Sequence, residues 1–160
     1  MRLFALTALT SAAFLTACGS GAPKTQAELL LGEWDQVSPI SITQSGLSVT
    51  ISDGEVEFDD DGTSESEMTM TIPSLPEGAK AYRMEVESTY VLTGNSLSET
   101  MTEGSVTPVT ANAQSNNFAA QFQAGMMQMP TSEATIVSLT DDTLVLRESE
   151  SGAEVTYERS

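Results

Sequence analysis

Most of the chain alternates between apolar and polar residues with a period of two, the pattern of strands with one buried and one wet face. Leu47, Val49 and Ile51 alternate with Ser48, Thr50 and Ser52. Asp53-Gly54 is expected to turn the chain, after which Val56 and Phe58 alternate with Glu55 and Glu57. Asp59-Asp60-Asp61-Gly62 predicts a hairpin, because Asp-Gly supplies the positive φ that tight turns need. Met68, Met70 and Ile72 then oppose Glu65, Glu67, Thr69 and Thr71. Beyond the break at 73–78 a long strand carries Tyr82, Met84, Val86, Tyr90 and Leu92 on one face, with Arg83, Glu85, Glu87 and Thr89 on the other. Gly94-Asn95 leads into a more polar strand over 96–107. Three further strands are predicted at 135–139, 143–148 and 153–159, joined by Asp141-Asp142 and Glu150-Ser151-Gly152.

Two segments beyond residue 24 depart from this rhythm. Thr25 with Glu28 three positions on has the spacing of a capping box, which predicts a helical turn over 25–31. Phe118, Phe122, Met126 and Met129 recur at spacings of four, four and three, which is helical, so one amphipathic helix is expected over 115–129. Ser115 or Asn116 is the expected cap, and Pro130 stops the helix. The total is eight or nine antiparallel strands and one inserted helix. A meander of that many strands removes its sticky edges by closing on itself. The predicted fold is all-β: an eight- to nine-stranded up-and-down barrel.

The N-terminus follows another logic. Arg2 precedes an uncharged apolar run from Leu3 to Leu15, too short to span a bilayer, which needs roughly 20 apolar residues. The run ends Leu15-Thr16-Ala17-Cys18, which resembles the lipobox of bacterial lipoproteins. The resemblance implies a signal peptide at 1–17 and a covalent diacylglycerol and N-acyl chain on Cys18. It also implies attachment to the cell membrane through that anchor, and Gly19 implies the inner leaflet of the outer membrane, facing the periplasm. Two or more acyl chains hold a protein stably where one does not. Cys18 is the only cysteine, so no disulfide is expected. Residues 18–29 read as the lipidated tether, with 30–160 as the barrel domain.

Charge and composition narrow the function. Beyond residue 17 the cations are Lys24, Lys80, Arg83, Arg147 and Arg159, against all 23 acidic residues. Such a surface repels phosphate, so nucleic acid is not an expected partner. With no His, the usual general base, the Ser-His-Asp triad and imidazole metal sites are missing, and the lone thiol is taken by lipid. The carboxylates fall in turns and on wet strand faces. An EF-hand alignment with Gly62 at its sixth position places Met68 where a bidentate Glu belongs. Neither an enzyme, a metal site nor a cofactor is expected.

Gly32-Glu33-Trp34 resembles the Gly-x-Trp signature of lipocalins and of bacterial lipocalin-like lipoproteins. That resemblance implies that Trp34 closes one end of the barrel beneath an Arg of the last strand. Arg159 shares the apolar face of Val155 and Tyr157, whereas Arg147 opposes Leu144 and Leu146, so Arg159 is the expected partner. The helix at 115–129 precedes the last three strands, a departure from the family layout. The implied function is binding of a small apolar or amphipathic ligand in the barrel lumen. Tyr82, Met84, Tyr90, Phe118 and Phe122 are the wall candidates, with methionines as adaptable lining. The alternative is a scaffold lipoprotein with a solid core and an envelope protein as partner.

Overall fold

The computed structural model describes residues 23–44, 47–128 and 131–160. The signal segment, Cys18 and Met129 lie outside these described residues. A short helix, α1 (Gln26–Leu30), leads into β1 (Gly32–Gln36), β2 (Ile40–Gln44), β3 (Leu47–Phe58), β4 (Thr63–Thr71), β5 (Ala81–Thr93) and β6 (Ser96–Pro108). Helix α2 (Ala113–Met126) follows, then β7 (Ser132–Leu139), β8 (Thr143–Glu148) and β9 (Glu154–Arg159). Every pairing is antiparallel, and β1 pairs with both β9 and β3. Eight strands therefore close into a barrel, and β2 is added to the outer half of β3.

The Asp53-Gly54 pair is not a turn. Residues 47–58 form one strand with a bulge between Ser52 and Glu55. Ile51 and Val56 are an odd number of residues apart, yet both must face inward. The extra residue of the bulge restores that parity. Asp53 adopts a φ of 51°, and the Gly54 N–H donates to Gln36 Oε1 at 3.2 Å. The bulge divides the strand's pairing: residues before it meet β2, and those after it meet β1. The strand β2, which no long alternation announces, is a finding of the structure.

The helix also starts earlier than its apolar spacing indicates. Asn112 is the cap, with its side chain accepting from Gln114 N and Ser115 N at 3.0 Å. Ser115 is the reciprocal member of the capping box: its hydroxyl accepts from the Asn112 N–H at 2.9 Å. The Thr25–Glu28 box before α1 forms as its spacing predicts.

Two apolar clusters fill the barrel. One surrounds Trp34 and includes Leu30, Phe58, Leu97, Ile136 and Leu144. The other holds Met70, Ile72, Tyr82, Val106, Ala119 and Met126, and joins α2 to the inward face of β4, β5 and β6. Residues 101–108 of β6 have no β7 partner, because β7 pairs only with Ser96–Glu99. The helix covers the inward side chains there. Gly104 admits it closely, since a Cβ at that position would lie 3.2 Å from Met126 Cε.

Candidate functional site

Trp34 is fully buried and its indole N–H donates to the Leu30 carbonyl at 2.8 Å. The Arg159 guanidinium lies 4.1 Å from the centre of the indole ring, and its Nη1 and Nη2 donate to the carbonyls of Leu31 and Leu29 at 2.7 and 2.6 Å. Gly32 makes room for it. A Cβ on Gly32 would stand 2.9 Å from Arg159 Nη1, and its φ of +104° is itself a glycine conformation. The expected Gly32, Trp34 and Arg159 thus meet in one plug.

The five wall candidates do not share one cavity. Tyr82 packs at a tilt against Phe118 at 5.0 Å between ring centres, and Phe118 stacks on Phe122 at 5.8 Å. Met84 packs beside them in the α2 cluster. Tyr90 belongs to the other cluster, edge-on to Phe58 at 5.2 Å, and its hydroxyl donates to the Asp59 carbonyl. All five are packing residues of the described core.

The interior nevertheless keeps a recess of about 190 Å³. Its walls include Ile40 and Ile42 of β2, Ile51 and Val56 of β3, Met68 of β4 and Val155 of β9. Gln36, Ser66, Glu148 and Tyr157 add polar groups. It lies further along the strands than Trp34, on the side away from α1, and it is partly open to solvent. The strand β2, outside the closed ring, contributes Ile40 and Ile42 to its wall. The missing signal was therefore β2 itself, a five-residue strand behind Pro39.

A polar group sits within the lumen beside this recess. Glu99 shares the inward face of Leu97 and Met101, a parity visible in the sequence. The Ser64 hydroxyl donates to Glu99 at 2.9 Å. Burial raises the pKa of the Glu99 carboxyl, and the Ser64 hydrogen bond only partly opposes this. Tyr157 is pushed up to about 12, first by burial and then by the charge of Glu99. At the rim, burial raises Glu148, but hydrogen bonds from Ser151 and Glu150 outweigh it and leave the carboxyl below its ordinary value.

The outer face of β1, β3, β4, β5 and β6 carries a second feature. Cross-strand register aligns Glu33, Glu57, Glu65, Glu87 and Glu103 as direct neighbours in one row. The adjacent row runs Glu158, Asp35, Glu55, Glu67 and Glu85. Like charges directly opposite each other destabilise a sheet. Hydrogen bonding to Glu33, together with slight burial and the neighbouring charges, raises the Glu55 carboxyl. Among the described residues, the Arg83–Glu67 ion pair at 3.2 Å offsets part of this repulsion. The rows flank an open groove of about 320 Å³. Among the described residues no group of carboxylates has metal-binding geometry. In the 59–62 turn, Asp61 accepts from the N–H and hydroxyl of Thr63.

No protein-family model matches the chain, and no curated protein matches it.

Proposed function

We propose that the chain is a membrane-anchored, non-enzymatic lipoprotein of lipocalin-like type, and that it binds a small apolar or amphipathic ligand in its lumen. The observation that carries this reading is the apolar recess beside the Trp34–Arg159 plug. Its volume of about 190 Å³ sets the scale of the ligand. An enclosed apolar cavity of roughly 150 Å³ accepts benzene, whereas sites for drug-sized ligands run from roughly 300 Å³ upward. One ring or a short chain fits; a whole lipid does not. Cys18 supplies the membrane attachment, by diacylglyceryl and N-acyl groups, and the acidic surface leaves that attachment to the lipid.

Native mass spectrometry of the purified full chain tests the ligand reading. A bound small molecule is expected on the wild type and not on Ile42→Trp, which fills the recess. Retention by both proteins, or absence from both across a panel of small aromatic and aliphatic compounds, sinks the lumenal reading. The anchor has its own test. Cys18→Ser should accumulate as uncut precursor, and mature mutant protein still held in membranes would exclude the lipobox.

A second reading is favoured by the registered carboxylates. In it the barrel is a scaffold that presents this face to a cationic envelope protein, and no ligand enters the lumen. Charge reversal at Glu57 and Glu65 would then abolish partner capture, while Ile42→Trp would leave it intact.

A further inference from the structure

We propose that the lumenal recess selects a small organic cation, an apolar ring or short chain bearing an ammonium group. This rests on the lumenal reading above and adds the charge of the ligand. The walls at Ile42, Ile51, Met68 and Val155 are aliphatic or thioether and exclude water from one end of a guest. Among the described residues, no Lys or Arg lines the recess. Arg159 is committed to Trp34 and the carbonyls of Leu29 and Leu31, and Arg147 pairs with Glu154 on the outside.

The inward-facing charges are instead negative. Glu148 stands at the rim, held ionised by the N–H groups of Glu150 and Ser151. Glu99 lies deeper, next to Tyr157, which forms part of the recess wall. The outer carboxylate rows continue the negative field past the mouth. An anionic guest such as a carboxylate would enter against all of these charges with no cation to meet it. A neutral guest gains only burial. An ammonium gains burial of its apolar part and attraction at the mouth, so charge complementarity commits the site to a cation.

The probes are benzylamine, benzyl alcohol and benzoate, which share one ring and differ in charge. Binding to the purified full chain is followed by saturation-transfer NMR at low ionic strength. Benzylamine is expected to bind roughly twofold to fivefold more tightly than benzyl alcohol, the scale of a partly exposed ion pair. Benzoate is expected to bind most weakly. The amine preference, read as the ratio of amine to alcohol affinity, should shrink in Glu148→Gln and in about 0.5 M salt. Ile42→Trp, with its fold checked by circular dichroism, should abolish binding of all three. Equal binding of amine and alcohol, or tighter binding of benzoate, overturns the cation selectivity and leaves the lumenal reading standing. An amine preference unchanged in Glu148→Gln overturns the role of this mouth. Failure of all three probes to bind overturns the lumenal reading and the selectivity with it.

Discussion

The guanidinium of Arg159 lies 4.1 Å from the indole of Trp34 and joins the last strand to the first helix by donating to Leu29 and Leu31. Its Nε also donates to the Asp141 carbonyl at 2.5 Å. One planar cation therefore holds three chain segments and covers a buried ring. A lysine has a single donor centre and cannot reproduce the fork. Hydrogen bonds to charged groups are worth roughly 1.5–3 kcal/mol each and a cation–π contact about 0.5–2 kcal/mol, though such terms do not simply add. Arg159→Lys is expected to cost about 2–4 kcal/mol in urea unfolding followed by Trp34 fluorescence. Gly32→Ala should cost about 1–3 kcal/mol by the same measurement, because φ at this position is +104° and the new Cβ meets Arg159. A loss below about 0.5 kcal/mol for either variant would show that the plug is not structural.

The plug is legible because Gly32-Glu33-Trp34 resembles a known signature and parity then favours Arg159 over Arg147, and the barrel because most of its strands alternate over long stretches. The bulge was not, since Asp53-Gly54 interrupts the alternation as a turn would; only pairing shows that the strand continues past it. The strand β2 alternates too, with Ile40 and Ile42 against Ser41 and Thr43, but two apolar positions behind Pro39 are a short signal beside the longer strands. The wall residues were chosen from apolar faces, and an apolar face packs a core as readily as it lines a cavity. Tyr82 and Phe118 found each other, and the recess formed elsewhere, from Ile42 of the unread strand and from the rim left by β8 and β9.

The row Glu33–Glu57–Glu65–Glu87–Glu103 predicts that the sheet is under electrostatic tension. Glu65→Lys turns its two direct like-charge pairings, with Glu57 and Glu87, into opposite-charge ones. A gain of about 0.5–1 kcal/mol is expected at low salt, decreasing as salt screens the pairs. Glu133, whose register partner is Ser98, is the control: Glu133→Lys should change stability by less than about 0.5 kcal/mol. If the two variants have equal denaturation midpoints, the registered carboxylates carry no such tension.

Stability should pass through a maximum as pH falls. Glu99 has a raised carboxyl pKa in the folded state because of burial, so the folded protein holds its proton at a pH where the unfolded chain has released it. The folded state then binds more protons than the unfolded state, and stability rises as pH falls from 7 toward the ordinary Glu value. Asp61 and Asp141 are lowered, chiefly by hydrogen bonds from Thr63 and Lys24 respectively. Their contribution is present above the ordinary Asp value and is lost as pH falls through and below it. The maximum is expected at about pH 4.5–5, between these windows. Glu99→Gln retains an acceptor for Ser64 without a charge to bury, and should be more stable than wild type at pH 7 but not at pH 4.5. A parallel pH profile in the variant would remove Glu99 as the cause.

Helix α2 depends on a glycine opposite its last turn. Gly104 lies on the inward face of β6, and its carbonyl accepts from Gln123 Nε2 at 3.0 Å. A Cβ there would stand 3.2 Å from both Met101 Sδ and Met126 Cε. Those are flexible side-chain ends, so alanine can be accommodated by small shifts, whereas the branched valine drives further into the contact. Gly104→Ala is expected to change stability by about 1 kcal/mol or less, and Gly104→Val to cost about 1–3 kcal/mol. The larger loss should appear first as faster amide exchange within Ala113–Met126, because the barrel strands retain their own pairings while the helix loses its seat. Equal exchange in wild type and Gly104→Val would mean that α2 is held by its N-terminal ties alone, through the Asn112 side chain on the Gly78 carbonyl and Phe118 on Tyr82.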